Sequence, residues 1–249
     1  MIKHDKKVIY GWGNETSNTP EEHNDIPSMR PKKTGNHSLL RDVLFFVFDV
    51  GLNAIIIVGL VFLLRVYVVT PFRVYGPSMC DTLNFMNNRC VRDNGEYIIV
   101  NKIIYRNIGS VSFDKPERGD IIVFRPPNGK DEYYIKRVIG LPFETVKISE
   151  GSVFILNKEN PEGYELSEPY LNKTNAGNTV VNRRNGTTEF TVPENSYLVL
   201  GDNRIMSNDS RHCFNDFGCT GDSTSFVPFN NIAGKAWVSL WPFQTMRFL

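Results

Sequence analysis

The sequence predicts a mainly β domain held behind one N-terminal transmembrane helix. Three observations predict it. Val43–Leu64 is apolar except for Asp49 and Asn53. Residues 1–41 ahead of it are polar and lack apolar periodicity. Beyond residue 70 the chain breaks into short β-branched runs bounded by turn residues, the pattern of antiparallel strands.

The tail contains Asn14-Glu-Thr-Ser-Asn-Thr-Pro-Glu-Glu-His23, which carries too little apolar surface to build a core. Residues 1–41 are therefore expected to be disordered. At about 1.5 Å per residue the apolar run reaches roughly 30 Å, one hydrocarbon thickness. It starts too late for a signal peptide and leads into Val69-Thr70-Pro71-Phe72 rather than a small-residue cleavage site. Residues 42–69 are thus expected to form the anchor. Asp49 lies near its N-terminal end, within reach of the headgroups, and Arg65 can snorkel at the other end. Arg30, Lys32, Lys33 and Arg41 precede the span, and only Arg65 and Arg73 closely follow it. That excess predicts a cytoplasmic N-terminus and an extracytoplasmic domain over residues 70–249. The expected location is a plasma membrane, spanned once, with the lipid bilayer as a partner.

In the domain, strands are expected in Gly95–Ile104, Asp120–Arg125, Tyr133–Ile139, Ser152–Leu156, Glu189–Val192 and Tyr197–Leu200. The 28 Lys+Arg balance 27 Asp+Glu, which gives no support for nucleic-acid binding. No fixed-period repeat is present, which argues against a solenoid or propeller. All four cysteines lie beyond the apolar run, fitting an oxidising compartment, and their spacing is not that of a zinc site. Neither a metal nor a cofactor is expected.

Four blocks carry the chemistry. They are Pro71-Phe-Arg-Val-Tyr-Gly-Pro-Ser78-Met-Cys-Asp-Thr-Leu83, then Gly95-Glu-Tyr-Ile-Ile-Val-Asn-Lys102. Arg118-Gly-Asp-Ile-Ile-Val-Phe-Arg-Pro126 follows, with Tyr134-Ile-Lys-Arg-Val-Ile-Gly-Leu-Pro142. The last is Gly201-Asp-Asn-Arg204 with Ser207-Asn-Asp-Ser-Arg211. A serine needs a base before it can attack a carbonyl, and a buried neutral lysine amine supplies one. Alternation in Tyr134–Ile139 puts Tyr134, Lys136 and Val138 on one strand face, where apolar neighbours can desolvate the amine. Free lysine, with a pKa of about 10.4, is almost wholly charged at neutral pH.

In this order, and behind this anchor, the blocks resemble the bacterial type I signal peptidases, a family of membrane-anchored Ser/Lys proteases. The resemblance implies antiparallel β-sheets with an inserted β cap, placed at about residues 144–194. It implies a serine endopeptidase that removes signal peptides from exported preproteins at the outer membrane surface, near the secretion translocon. By the same carry-over Ser78 is the nucleophile, Lys136 the general base, and Ser207 the hydroxyl that orients the lysine. The oxyanion hole falls to the Ser78 N–H and the position of Gly76, where some members carry a hydroxyl. Arg137 with Asp202, and Asp209 with Arg211, form supporting ion pairs. Phe72, Val74, Leu83 and Ile135 line shallow pockets for small side chains at the first and third positions before the cut. Pro77 and Asp81 depart from the family pattern. Relative to that pattern, Cys80–Cys90 and Cys213–Cys219 bracket insertions, and two local disulfides are preferred to four buried thiols. The alternatives are a specialised related Ser/Lys peptidase and an inactive, membrane-tethered homologue. His212, the one histidine beyond the apolar run, is not expected to act as the base.

Overall fold

The computed structural model describes residues 37–249 except 87, 88, 94, 106, 109, 110, 113, 182–187, 216, 217 and 220–222. Most of the tail reading, over residues 1–36, lies outside the described residues. The chain divides into two compact units, one ending at Leu52 and the other spanning Asn53–Leu249.

Helix α1 spans His37–Leu63, and one wider π turn, Leu64–Val68, continues it. The helix starts ahead of the expected residue 42 because Leu39 and Leu40 carry the apolar pattern across Arg41. Among the described residues it is the one helix long and apolar enough to cross a membrane. Its large side chains are exposed, Phe48 at 69% and Ile55 at 71%, a surface that only an apolar solvent would favour.

The strands follow in chain order. β1 (Val69–Arg73), β2 (Phe85–Met86), β3 (Arg89–Cys90), β4 (Tyr97–Asn101), β5 (Asn107–Ile108) and β6 (Val111–Ser112) come first. β7 (Ile121–Phe124), β8 (Tyr134–Gly140), β9 (Thr145–Ser149), β10 (Ser152–Leu156) and β11 (Tyr164–Glu165) come next. β12 (Glu189–Thr191), β13 (Ser196–Leu200), β14 (Val227–Pro228), β15 (Ile232–Trp241) and β16 (Arg247–Phe248) complete the set. The main sheet runs β1-β4-β15-β7-β8-β13-β14, with β16 paired to β15, and all its pairings are antiparallel. β11-β10-β9-β12 form a separate four-stranded sheet inside the region expected to be the cap.

Ile121–Phe124 is buried at every position, so alternate side chains serve different cores. Ile121 and Val123 join Val74, Met79, Ile98 and Val100, with Phe72 and Ile135 at the margin. Ile122 and Phe124 join Val138, Tyr197, Val199 and Phe214, with Tyr134 at the margin. A third core fills the smaller sheet with Val146, Ile148, Val153, Ile155 and Phe190. β15 sits at the centre of the main sheet although its sequence lacks strict alternation. Register shifts where it meets β4 and β7 break the period of two that marks a regular strand.

Cys80 bonds Cys90 with Cα atoms 5.6 Å apart, and Cys213 bonds Cys219 at 5.0 Å. Each closes a short loop, and the chain-entropy model gives such a crosslink about 2–3 kcal/mol. Replacing either pair by serine should lower the unfolding free energy of the detergent-solubilised chain by about that amount, read from urea titrations. Identical urea midpoints with and without reductant would contradict the pairing.

Candidate active site

Two loops and one strand build the site. After β1 the chain keeps pairing, with the Val74 N–H donating to Glu96 O at 2.9 Å and the Gly76 N–H to Arg92 O at 3.0 Å. Gly76 has φ +79, left-handed space that suits glycine and turns the chain into Pro77–Ser78. Ser78 opens a tight turn in which the Thr82 and Leu83 N–H groups both donate to Met79 O, at 2.9 and 2.7 Å. Asn84 braces the base of the loop. Its amide donates to Val74 O and Gly76 O, both at 3.2 Å, and its Oδ1 accepts the Glu96 N–H at 2.7 Å.

Strand β8 supplies the partner. Register pairs Lys136 with Ile122 and Tyr134 with Phe124, so the lysine shares its strand face with apolar neighbours. Lys136 is 3% exposed, and its Nζ lies 2.8 Å from Ser78 Oγ and 2.9 Å from Ile135 O. The Tyr134 ring centre is 5.4 Å from Nζ. Burial pushes the amine down to about 8, against the opposing pull of Asp209 and Asp202. At pH 7 about one such lysine in ten is neutral, compared with about one in 3,000 in water.

The loop from Gly201 to Arg211 covers the pair. Its Asn203 N–H donates to Ser78 O at 3.0 Å. The approach is so close that a Cβ on Gly201 would stand 2.4 Å from that carbonyl and 2.2 Å from Ser207 Oγ. Arg137, next to Lys136, grips Asp202 through Nε at 2.9 Å and Nη2 at 2.6 Å, and the Tyr170 ring stacks 3.9 Å over its guanidinium. Asp209 takes Arg211 Nε at 2.9 Å, Arg211 Nη2 at 2.8 Å and the Gly201 N–H at 3.0 Å. Burial alone would raise the Asp209 carboxyl, but Arg211 and these hydrogen bonds hold it well below the usual range. Both carboxylates are wholly buried, so deleting one partner of either pair strands a charge at about 3–5 kcal/mol.

Phe72, Val74, Tyr133 and Ile135 wall a cleft of about 540 Å³ that opens onto Ser78 and Lys136. Phe72 meets Tyr133 edge-on with centroids 5.2 Å apart. β1 is an edge strand of the main sheet, and β13 pairs β8 only from Arg137 onward. Both flanks of the cleft therefore offer backbone to an extended peptide.

Two expectations need correction, and a third lacks its contact. Leu83 does not wall the cleft: it is 0% exposed and packs with Met79, Ile98 and Val100 behind the Ser78 turn. Gly76 is not an oxyanion donor, because it has no side-chain donor and its N–H is spent on Arg92 O. Ser207 makes no hydrogen bond to Lys136, and its Oγ is buried with no hydrogen-bond partner among the described residues. His212 occupies the short 3₁₀ turn Ser210–His212, and the basic group in hydrogen-bond contact with Ser78 Oγ is the lysine.

Several supporting residues lie in the quoted blocks, but the sequence does not show their partners. Thr82 donates its hydroxyl to Asp202 and accepts Arg137 Nη2 at 3.2 Å, tying the Ser78 turn to the strand of Lys136. Arg204, 1% exposed, pairs with Glu168 and donates to Thr179 Oγ1 at 2.6 Å. Glu96, 1% exposed, meets Arg247 at 3.1 Å, Ser239 Oγ at 2.6 Å and the Asn84 N–H at 3.1 Å. Each pairing joins segments distant in the chain, so spacing could not reveal it.

The buried lysine has a thermodynamic signature. Its folded pKa of about 8 lies below the usual 10.5. Between those values the unfolded chain holds a proton that the folded chain has released, so stability rises with pH. The full cost, about 3 kcal/mol, applies below pH 8. Lys136→Met should therefore stabilise the chain by up to about 3 kcal/mol at pH 7, with the gain fading by about pH 10.5. Denaturant titrations of both proteins at the two pH values measure this, and a gain independent of pH refutes it.

Comparison with known proteins places the chain in a family. The family model described as signal peptidase, peptidase S26, matches residues 47–241. Signal peptidase I of Pseudomonas fluorescens is 33% identical over 208 residues, covering 74% of this chain and 69% of the relative. Signal peptidase I of Bacillus amyloliquefaciens is 34% identical over 199 residues, covering 79% of this chain and 86% of the relative. Signal peptidase I S of Bacillus subtilis is 34% identical over 200 residues, covering 78% and 88% respectively. The chain belongs to the signal peptidase, peptidase S26, family.

Proposed function

We propose that this chain is a signal peptidase I that removes signal peptides from exported preproteins by Ser/Lys catalysis. The observation that carries the mechanism is the 2.8 Å contact between a desolvated Lys136 Nζ and Ser78 Oγ. The neutral amine takes the hydroxyl proton as Ser78 Oγ attacks the scissile carbonyl. The resulting ammonium protonates the leaving amine, and water activated by the same lysine releases the acyl-enzyme. The Ser78 N–H is the first oxyanion donor. Ser207 keeps its orienting role on valence grounds. A neutral amine has one lone pair and two N–H bonds. Ser78 takes the lone pair and Ile135 O one N–H, and the unsatisfied Ser207 hydroxyl is a natural acceptor for the other. Arg137, Asp202, Asp209 and Arg211 support the base without transferring protons.

α1 anchors the chain with its N-terminus in the cytoplasm, leaving residues 70–249 outside near the secretion translocon. The basic residues ahead of the helix support that orientation. The extended segment before the cut pairs with the edges at 72–76 and 133–136, and its first and third side chains meet Phe72, Val74 and Ile135.

Ser78→Ala and Lys136→Ala should each lower kcat for a model preprotein by about 10²- to 10⁴-fold or more while the fold stays intact. The double variant should lose little beyond that, because the two act as a unit. Lys136→Arg should be as inactive, since a guanidinium stays protonated. Near-normal turnover by any of these folded variants would overturn the assignment.

For the native chain, kcat/KM should climb with pH through an inflection near 8 as Lys136 loses its proton. A flat profile between pH 6.5 and about 9.5 would assign the base elsewhere.

Replacing alanine by leucine or phenylalanine at the position before the cut adds volume to a walled site, at about 1–3 kcal/mol. That corresponds to about 5- to 150-fold in kcat/KM. Trimming Phe72 or Ile135 to alanine should relax the preference. A preprotein library profiled with the native chain and both variants tests it, and equal use of alanine and leucine by the native chain rules out this pocket.

A further inference from the structure

Asp81 stands three residues after Ser78, where the sequence departs from its family, and the chemistry above gives it no task. Its carboxylate is fully engaged. Asn172 donates to it through its backbone N–H at 2.8 Å and its side-chain amide at 2.7 Å. The Asn175 amide donates to both carboxylate oxygens at 3.0 Å. Both asparagines lie in the long segment between β11 and β12.

Asn175 is 3% exposed and is held at both ends of its amide. Its nitrogen faces Asp81, and its oxygen accepts the Ile205 N–H at 3.2 Å. An acceptor on one side and a donor on the other set the orientation of the amide. Asn172 Oδ1 in turn accepts the Thr174 and Asn175 N–H groups at 2.8 and 3.0 Å, so the donors are presented by an organised turn.

These bonds close a ring around the nucleophile. Ser78 leads through its turn to Asp81, Asp81 to Asn175, and Asn175 to Ile205. Ile205 lies in the loop whose Asn203 N–H donates to Ser78 O at 3.0 Å. The turn is stiffened by its own hydrogen bonds to Met79 O and, on the other side of Asp81, by the Cys80–Cys90 bond. A displacement of the asparagine turn therefore reaches Ser78 from two directions.

We propose that Asp81 is a positioning residue for Ser78, through which the Asn172–Asn175 turn holds the nucleophile in line with Lys136. The proposal rests on Ser78 being the nucleophile. Complementarity makes it testable. Asn175→Asp keeps the acceptor for Ile205 but removes the donors to Asp81 and sets two carboxylates against each other. Adding Asp81→Asn restores a donor facing an acceptor across the 81–175 contact and keeps one of the two Asn172 bonds.

The measurement is steady-state cleavage of a synthetic preprotein peptide, with alanine at the first and third positions before the cut, by the full chain in detergent micelles. Asn175→Asp should lower kcat by about 10- to 100-fold, with KM changed by no more than about twofold. The pH inflection near 8 should stay in place, because the burial of Lys136 is untouched. The double variant should regain kcat to within about threefold of native. A merely structural role would lower the unfolding temperature without this kcat-specific loss or its rescue. Unchanged kcat in folded Asn175→Asp, or no rescue in a folded double variant, overturns the proposal. If Asn175→Asp does not fold, Asp81→Ala takes its place, since water can satisfy the freed amides, and it must show the same kcat loss. An acylating probe on the native chain separates the two levels. Cleavage without labelling of Ser78 refutes the nucleophile reading, whereas labelled Ser78 with unchanged kcat in the variants refutes only the link through Asp81.

Discussion

Moving the Lys136 amine out of water to a point 2.8 Å from Ser78 Oγ is the constraint around which the domain is organised. An ammonium in that position would be useless, because it has no lone pair to take a proton. Burial shifts the balance to the neutral form and costs stability. The cores on either side of β7 and β8 must offset that cost while leaving one flank of the lysine open to a peptide. Continuous burial of Ile121–Phe124 and of Lys136–Gly140 in the paired strands meets the first need. The end of β13 pairing at Arg137 meets the second.

Desolvation could be defeated by nearby acids. Asp202 and Asp209 both favour the ammonium, yet Asp209 is paired with Arg211, whose charge opposes it, and Asp202 is bonded to Arg137. The ion pairs therefore do two things. Arg137–Asp202 joins the Gly201–Arg211 loop to β8, and Arg211 keeps the neighbouring carboxylates from fully restoring the charge on the amine. A loss of activity on deleting one of them would follow from a stranded buried charge, and would not make it a proton carrier.

Serine placement depends on a different kind of support. Met79 and Leu83 root the Ser78 turn in the core, and polar bonds set its orientation: Asn84 at its base, Thr82 to Asp202, Asp81 to the asparagine turn, with the Cys80–Cys90 crosslink beside them. Hydrogen bonds suit this task because they are directional, whereas apolar contacts alone would let the turn slide. The removal of one usual residue at position 81 is matched by donors on a segment more than 90 residues away in the chain, at Asn172 and Asn175.

The apolar run, the short β-branched strands and the blocks around Ser78 and Lys136 were legible in the chain itself, because each is a local pattern with a period or a spacing. The strands at Ile121–Phe124, Tyr134–Gly140, Ser152–Leu156, Glu189–Thr191 and Ser196–Leu200 fall within or beside the runs that predicted them. β15 was not legible, since its bulges erase alternation even though it joins β4 to β7. Nor were the roles of Thr82, Asn84, Glu96, Glu168 and Asp81, all of which are defined by partners remote in sequence. Leu83 shows the same limit from the other side, because apolar character cannot say whether a residue walls a cleft or fills the core behind it. The sequence determined which chemical groups were available and which segments would be strands. Tertiary structure alone decided which groups lost their water, and a lysine becomes a base only through that loss.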